Sequence, residues 1–208
     1  MYQVSYPSYR TPAYGRFRTV RNSTVNVNRK MKVYYLMEYL PSRYEATEEQ
    51  ERNRRSIYYF KNGSCSPAIL NGLADGIMRL GDRNTVVCFV PASSHERTQK
   101  RYATLSSRLA YRTKMRCSYK AISKAEDSPS GYLAGKSEDP ASDFVFDSSI
   151  FSGKKVILID DVMTRGRTLE ATARRLRDLG ATEVIGLVVG LTINPDWTGV
   201  ETRNVERL

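Results

Sequence analysis

The chain has 208 residues, of which 40% are hydrophobic, which is enough for one ordinary α/β domain without metal or disulfide support. No apolar run approaches the roughly 20 residues of a membrane span, which excludes a polytopic membrane protein. The start of the sequence lacks the apolar core of a signal peptide, so we expect a cytoplasmic protein. The 33 basic residues outnumber the 22 acidic ones, and the resulting net charge of +11 makes nucleic acid a partner to consider.

Much of this charge lies in a tail, residues 1–30, that is rich in Tyr, Ser, Thr, Asn and Arg and has neither helical nor strand periodicity. Residues 1–32 contain seven basic residues and no acidic one. Such a tail can stack on bases and contact phosphates, so nucleic acid is one candidate partner. A solubilising extension, or an arm that packs on the domain, remains an equally open interpretation. We expect residues 31–208 to form a single domain with its core at 84–192.

A strand and two helices are the first elements predicted after the tail. The β-branched and aromatic run 32–37 predicts a strand, and the capping-box spacing that begins at Thr47 predicts a helix over about 47–60. Ser66 and Pro67 begin a second helix that ends at Gly81. We assign no chemistry to these helices and expect them to act as an N-terminal scaffold.

The second half of the chain has the pattern of a doubly wound α/β domain. Three short runs, 86–90, 156–159 and 184–189, are apolar without alternation, which is typical of parallel strands covered on both faces. Amphipathic patterns between them predict helices over about 102–116 and 168–179. Ligands of such sheets bind at the carboxyl ends of the strands, so the loops after Val90 and Ile159 are the candidate sites.

The loop after the second run carries an acidic pair followed by a short Thr/Gly segment. Asp160 and Asp161 follow the apolar strand directly, and residues 164–168 lead into the next helix. The free N–H groups and positive dipole end of that helix favour a phosphate, and Gly166 allows a close backbone approach. Carboxylates do not favour phosphate, so the pair must serve vicinal sugar hydroxyls or a metal ion. A phosphorylated sugar satisfies both halves of the loop.

Residues 156–169 resemble the ribose-5-phosphate loop of type I phosphoribosyltransferases. The resemblance implies a doubly wound parallel-sheet fold with a small hood, formed here from residues 31–60 and 190–208. It also implies a reaction in which ribose 5-phosphate passes from phosphoribosyl pyrophosphate (PRPP) to a nitrogenous base and pyrophosphate is released. Asp160 and Asp161 become the candidate catalytic and ribose-binding residues. The 5-phosphate would be held by Thr164, Arg165, Gly166, Arg167 and Thr168.

The resemblance extends to the segment after the first parallel strand, where this family places its pyrophosphate loop. The implied pyrophosphate contacts are Ser93, Ser94, Arg97, Lys100 and Arg101. Mg²⁺ would arrive with PRPP, and Asp160 or Asp161 is a candidate to touch it. Over about residues 84–192, the order of basic loop, helix, acidic insert and PRPP loop is similar to the ComF-type branch of competence-associated phosphoribosyltransferase-like proteins.

Two departures from the family pattern keep a second interpretation open. Arg165 and Arg167 replace smaller residues of the loop, and either could pair with phosphate or point to solvent. Thr164 stands where hypoxanthine-type members have an acid/base Asp, and the insert 124–147, where the family has a closing lid, has only two basic residues. The alternative to an enzyme is therefore a non-catalytic PRPP or nucleotide sensor, or a ComF-like accessory to DNA uptake. The acceptor base is not indicated, and a homo-oligomer is left open.

Overall fold

The computed structural model describes residues 31–125, 139–195 and 205–208, which contain eight strands and four α-helices. The strands are β1 (Lys32–Tyr39), β2 (Thr85–Phe89), β3 (Arg116–Ser118), β4 (Ile122–Lys124), β5 (Phe144–Phe146), β6 (Lys155–Met163), β7 (Glu183–Thr192) and β8 (Val205–Arg207). The helices are α1 (Glu48–Lys61), α2 (Pro67–Leu80), α3 (His95–Thr113) and α4 (Arg167–Asp178).

Six strands form one parallel sheet in the order β3-β2-β6-β7-β1-β8. Strands β4 and β5 pair antiparallel in a separate two-stranded ribbon. The predicted α/β class and parallel sheet are confirmed. Because every main-sheet strand points the same way, the carboxyl ends of β2 and β6 lie side by side and bring their following loops together.

Alternate residues of the central strands supply two hydrophobic cores, one on each face of the sheet. Val87 and Phe89 of β2 belong to the core beneath α1, α2 and α3. Val86 and Cys88, one residue out of phase, belong to the core beneath α4. A strand with both faces buried must be apolar at every position, which explains why the sequence showed continuous runs there.

The first two helices begin and end at the residues that the sequence indicated. Thr47 and Gln50 form the reciprocal capping box of α1, with the Thr47 amide donating to Gln50 Oε1 at 2.9 Å. The Ser66 hydroxyl accepts from the Ile69 amide at 3.3 Å, and Gly81 ends α2. Each cap satisfies an amide that the helix itself leaves without an acceptor.

Helix α3 begins earlier than predicted. The predicted start was residue 102, but Ser94 is the N-cap and the helix runs from His95 to Thr113. Lys114 is its C-cap, in the left-handed conformation with φ 58°. The first turns are mostly exposed, so their polar sequence carries no apolar periodicity, and only Thr98 and Tyr102 turn towards the core there. The predicted basic loop is therefore largely the first turns of a helix.

The assignment of residues 31–60 to a hood is wrong for β1. That strand lies within the main sheet, where it pairs with β7 and β8. Its residues Val33 and Leu36 are buried on opposite faces of the sheet, so β1 contributes side chains to both hydrophobic cores. The segments beyond the ends of β1 and β7 do meet, since Tyr44 donates to Asn194 Oδ1 at 2.6 Å.

Candidate active site

A cavity of about 780 Å³ lies beyond the carboxyl ends of β2 and β6. Its walls come from the end of α1, the β2–α3 connection, the first turns of α3, the end of β6 and the start of α4. The lining residues are Lys61, Asn62, Val90, Pro91, Ala92, Ser93, Glu96, Arg97, Lys100, Arg101, Asp160, Asp161 and Thr168. Three acidic side chains, two of them the adjacent Asp160 and Asp161, thus line the cavity together with four basic ones.

The acidic pair lies within the last part of β6, whereas the sequence placed it in the loop that follows the strand. The Asp160 carboxylate accepts from the Asp161 amide at 2.7 Å, and the Asp161 carboxylate accepts from the Val162 amide at 2.6 Å. Each carboxylate is therefore oriented by the backbone that follows it. Burial, and next the neighbouring Asp161 charge, raise the pKa of Asp160 to about 8.

Arg101 connects three elements at the cavity wall. Its guanidinium pairs with Asp161 of β6, its Nε donates to the Lys61 carbonyl of α1 at 3.1 Å, and it lies over the Tyr102 ring at 5.6 Å. The side chain is only 11% exposed. A charged group held this deeply by three partners has a defined position.

Lys61 is a lining residue that the sequence analysis missed. It is the last residue of α1, and its Nζ lies 3.8 Å from Asp161 Oδ1. The turn that follows is packed closely on α3, because a Cβ on Gly63 would lie 2.6 Å from the Lys100 carbonyl oxygen. A Lys at the end of an amphipathic helix is common, so no local feature of the sequence distinguishes it.

The predicted pyrophosphate contacts lie in the β2–α3 connection and the first turns of α3, but not all of them line the cavity. Ser93 lines it and accepts from Arg97 Nη1 at 3.0 Å. Ser94 instead caps α3, its hydroxyl accepting from the Arg97 amide at 3.2 Å. Lys100 is exposed along the same wall. Four of the five predicted residues are thus at the cavity, and contact with pyrophosphate stays a prediction for all five.

The loop between β6 and α4 leaves the start of α4 without a side-chain cap. Gly166 is left-handed, with φ 74°, and no side chain caps the start of α4. The first-turn amides therefore keep their donors for a ligand. Thr168 lines the cavity, whereas the Thr164 hydroxyl contacts that of Thr192 at 2.9 Å.

Arg165 and Arg167, whose orientation the sequence left open, are both exposed and do not line the cavity. They flank Gly166 on the solvent side of the loop. Phosphate contact by either arginine stays a prediction.

The donor set fits one Mg²⁺ that also holds ligand oxygens. Within the described ranges no group of three or more His, Cys, Asp or Glu residues could hold a metal alone. Mg²⁺ keeps several waters and needs only one or two protein carboxylates when a phosphate ligand accompanies it. Contact between Mg²⁺ and either Asp160 or Asp161 stays a prediction.

Several sequence predictions fall outside the described residues. These are the role of the tail 1–30 and that of residues 126–138 of the acidic insert. The described end of the insert forms β5, and Asp143, just before that strand, pairs with Lys124 of β4 at 2.7 Å. None of the four described helices is long and apolar enough to cross a membrane.

Residues 101–192 match the family model described as a phosphoribosyl transferase domain. This stretch contains most of α3 together with β6, the Gly166 loop and α4. It amounts to less than half of the chain. The match supports the type I phosphoribosyltransferase superfamily that the motif indicated.

Among curated proteins, the Bifunctional protein PyrR of Halalkalibacterium halodurans is 49% identical over 55 residues. The protein of the same name from Picosynechococcus sp. is 44% identical over 55 residues. Each alignment covers 23% of this chain and 31% of the relative, so the chain matches about a third of the length of these relatives. Because the matched relatives carry the name PyrR, the ComF-type branch stays a prediction.

Solved structures with a similar chain path include the purine phosphoribosyltransferase from Pyrococcus horikoshii Ot3. It is 17% identical, with 86% of this chain and 87% of that chain covered, at a TM-score of 0.37. A hypoxanthine phosphoribosyltransferase from Staphylococcus aureus is 16% identical, with 78% and 82% covered, at a TM-score of 0.39.

Proposed function

We propose that this protein binds PRPP and transfers its ribose 5-phosphate to a nitrogenous base, releasing pyrophosphate. The observation that carries the proposal is the joint placement of an acidic pair, an uncapped helix start and a basic wall around one cavity. A sugar with hydroxyls, a phosphate and a pyrophosphate presents the three complementary groups. The family match over 101–192 supports the same ligand class.

In the proposed reaction the bond from the anomeric carbon to a pyrophosphate oxygen breaks, and a bond from a base nitrogen forms. The electron pair of the broken bond leaves with pyrophosphate, and the nitrogen gives up its proton to solvent. Mg²⁺, when bound, would offset charge on the leaving group. The chain's own contribution is positioning: the acidic pair holds the ribose, the α4 amides hold the 5-phosphate, and the α3 cations neutralise pyrophosphate.

Calorimetry with PRPP and Mg²⁺ tests the binding step. We expect the unchanged protein to bind PRPP, and Asp161→Asn to weaken binding by about tenfold or more, because charge-assisted contacts are lost. Asp75→Asn is the matched control, since Asp75 is exposed on α2, which supplies no residue to the cavity lining. An unchanged protein without measurable PRPP affinity would refute the proposal.

A non-catalytic PRPP or nucleotide sensor, including a ComF-like accessory to DNA uptake, is the second candidate. It is favoured by Thr164, which has no carboxylate for acid/base work at a purine and instead contacts the Thr192 hydroxyl. Measuring pyrophosphate release with PRPP, Mg²⁺ and a panel of bases separates the two candidates. Release with any base supports the transferase. Binding of PRPP without release from every base tested supports the sensor.

A further inference from the structure

The two neighbouring carboxylates of the site have different partners. Both oxygens of Asp161 are engaged, one by Arg101 and the other by the Val162 amide, with Lys61 Nζ 3.8 Å away. Asp160 uses one oxygen to accept from the Asp161 amide, and it forms no ion pair within the part of the chain that the structure describes. Asp160 therefore retains an oxygen for a ligand, whereas Asp161 would first have to release Arg101.

Arg101 is fixed more firmly than an exposed ligand-binding arginine would be. Beneath it the Tyr102 ring is buried and packs on Phe89, with the ring centroids 4.7 Å apart, and on Phe60 at 6.3 Å. The Lys61 carbonyl accepts a hydrogen bond from Arg101 Nε at 3.1 Å. Asp161 pairs with the same guanidinium, and Arg101, Lys61 and Asp161 all line the cavity.

We propose that the adjacent carboxylates divide the work: Asp160 contacts the ribose, and Asp161 positions Arg101 and Lys61 for the pyrophosphate end of the ligand. The inference rests on the proposed function and refines its assignment of the acidic pair. Asp161 is a positioning residue in this scheme, because it acts through the two cations. Lys61 becomes a ligand contact supplied by α1, the helix to which the sequence assigned no chemistry.

Three roles for Asp161 predict three different results when its charge is removed. If Asp161 contacts ribose, Asp161→Asn weakens ribose 5-phosphate and leaves pyrophosphate unaffected. If Asp161 is only a nearby negative charge, the substitution strengthens pyrophosphate, because repulsion is removed. If Asp161 positions the cations, pyrophosphate binding weakens although a negative charge has gone, and ribose 5-phosphate binding stays the same.

The experiment compares the affinities of ribose 5-phosphate, of pyrophosphate with Mg²⁺, and of PRPP by calorimetry. We expect Asp161→Asn to weaken pyrophosphate binding about fivefold or more and to change the affinity for ribose 5-phosphate less than twofold. Asp160→Asn should instead weaken ribose 5-phosphate binding about fivefold or more and change the affinity for pyrophosphate less than twofold. In an Arg101→Met background, Asp161→Asn should have a smaller further effect on pyrophosphate than in the unchanged protein, because one of the two cations that Asp161 positions is gone. Asp75→Asn is the surface control, and thermal unfolding checks that each variant is folded.

Equal loss of ribose 5-phosphate affinity in Asp160→Asn and Asp161→Asn would overturn the division of work. So would tighter pyrophosphate binding by Asp161→Asn, or additive effects in the double variant. If Asp161→Asn does not fold, Arg101→Lys and Lys61→Met carry the same test: each should weaken pyrophosphate and spare ribose 5-phosphate. Failure of the unchanged protein to bind PRPP would instead refute the proposed function itself.

Discussion

Gly166→Ala is the substitution that tests the phosphate cradle most directly, because the chain offers a matched control for it. Gly166 has φ 74° at the start of α4, and Gly153 has φ 68° just before β6. Both positions are left-handed, so alanine is strained at each. Only Gly166 lies at the carboxyl end of β6, and the strand between the two spans roughly 25 Å at 3.3 Å per residue.

The expected effects follow from what a Cβ would meet at each position. At Gly153 it would meet nothing within 4 Å, and at Gly166 it would lie 3.3 Å from the Met163 sulfur, which is the flexible part of a side chain. Each variant should therefore lose about 1–2 kcal/mol of unfolding free energy from the left-handed backbone alone. For a chain of this size, that lowers the Tm by roughly 2–8 °C. If relaxation of that strain at Gly166 moves one amide away from the phosphate, about 1.5–3 kcal/mol of binding is lost, which is tenfold or more.

The assay pairs thermal unfolding with calorimetric titration of ribose 5-phosphate for both variants. We expect similar decreases in Tm, and a tenfold or greater loss of affinity in Gly166→Ala alone. Equal affinity of both variants for ribose 5-phosphate, at similar losses of stability, would show that the backbone around Gly166 does not hold the phosphate.

Two further predictions concern the acidic pair and the tail. Since the pKa of Asp160 is raised from 3.8 to about 8, mainly by burial, the folded chain holds this proton more tightly than the unfolded chain does. Its contribution to stability is full below about pH 4 and falls as the pH rises to about 8, by roughly 1 kcal/mol per pH unit at most. Urea unfolding should show wild type losing stability relative to Asp160→Asn between about pH 5 and 8, and parallel pH profiles would contradict the assignment. Deleting residues 1–30 should abolish salt-sensitive retention on DNA or RNA, and retention that survives would place the nucleic-acid contact elsewhere.

Where local chemistry alone decides a boundary, the sequence was sufficient. The Thr47 capping box, the Ser66 cap with Pro67, and the apolar runs of β2, β6 and β7 all lie where they were predicted. The start of α3 was missed because its first turns are exposed and give no apolar periodicity. β1 was predicted as a strand but placed in the hood, because its partners in the main sheet, β7 and β8, lie far away in sequence.

The sequence determined one part of the site, because the acidic pair, Gly166 and a helix start follow one another in a single segment. It also located the excess basic charge, part in residues 1–32 and part at the start of α3. Only the tertiary structure decided what the charges do to one another. The fold brings the end of α1, the first turns of α3 and the end of β6 together, so that Lys61 and Arg101 meet Asp161 while Asp160 keeps an oxygen for a ligand. Such pairings depend on distances between residues 40 to 100 positions apart, which no local pattern of residues encodes.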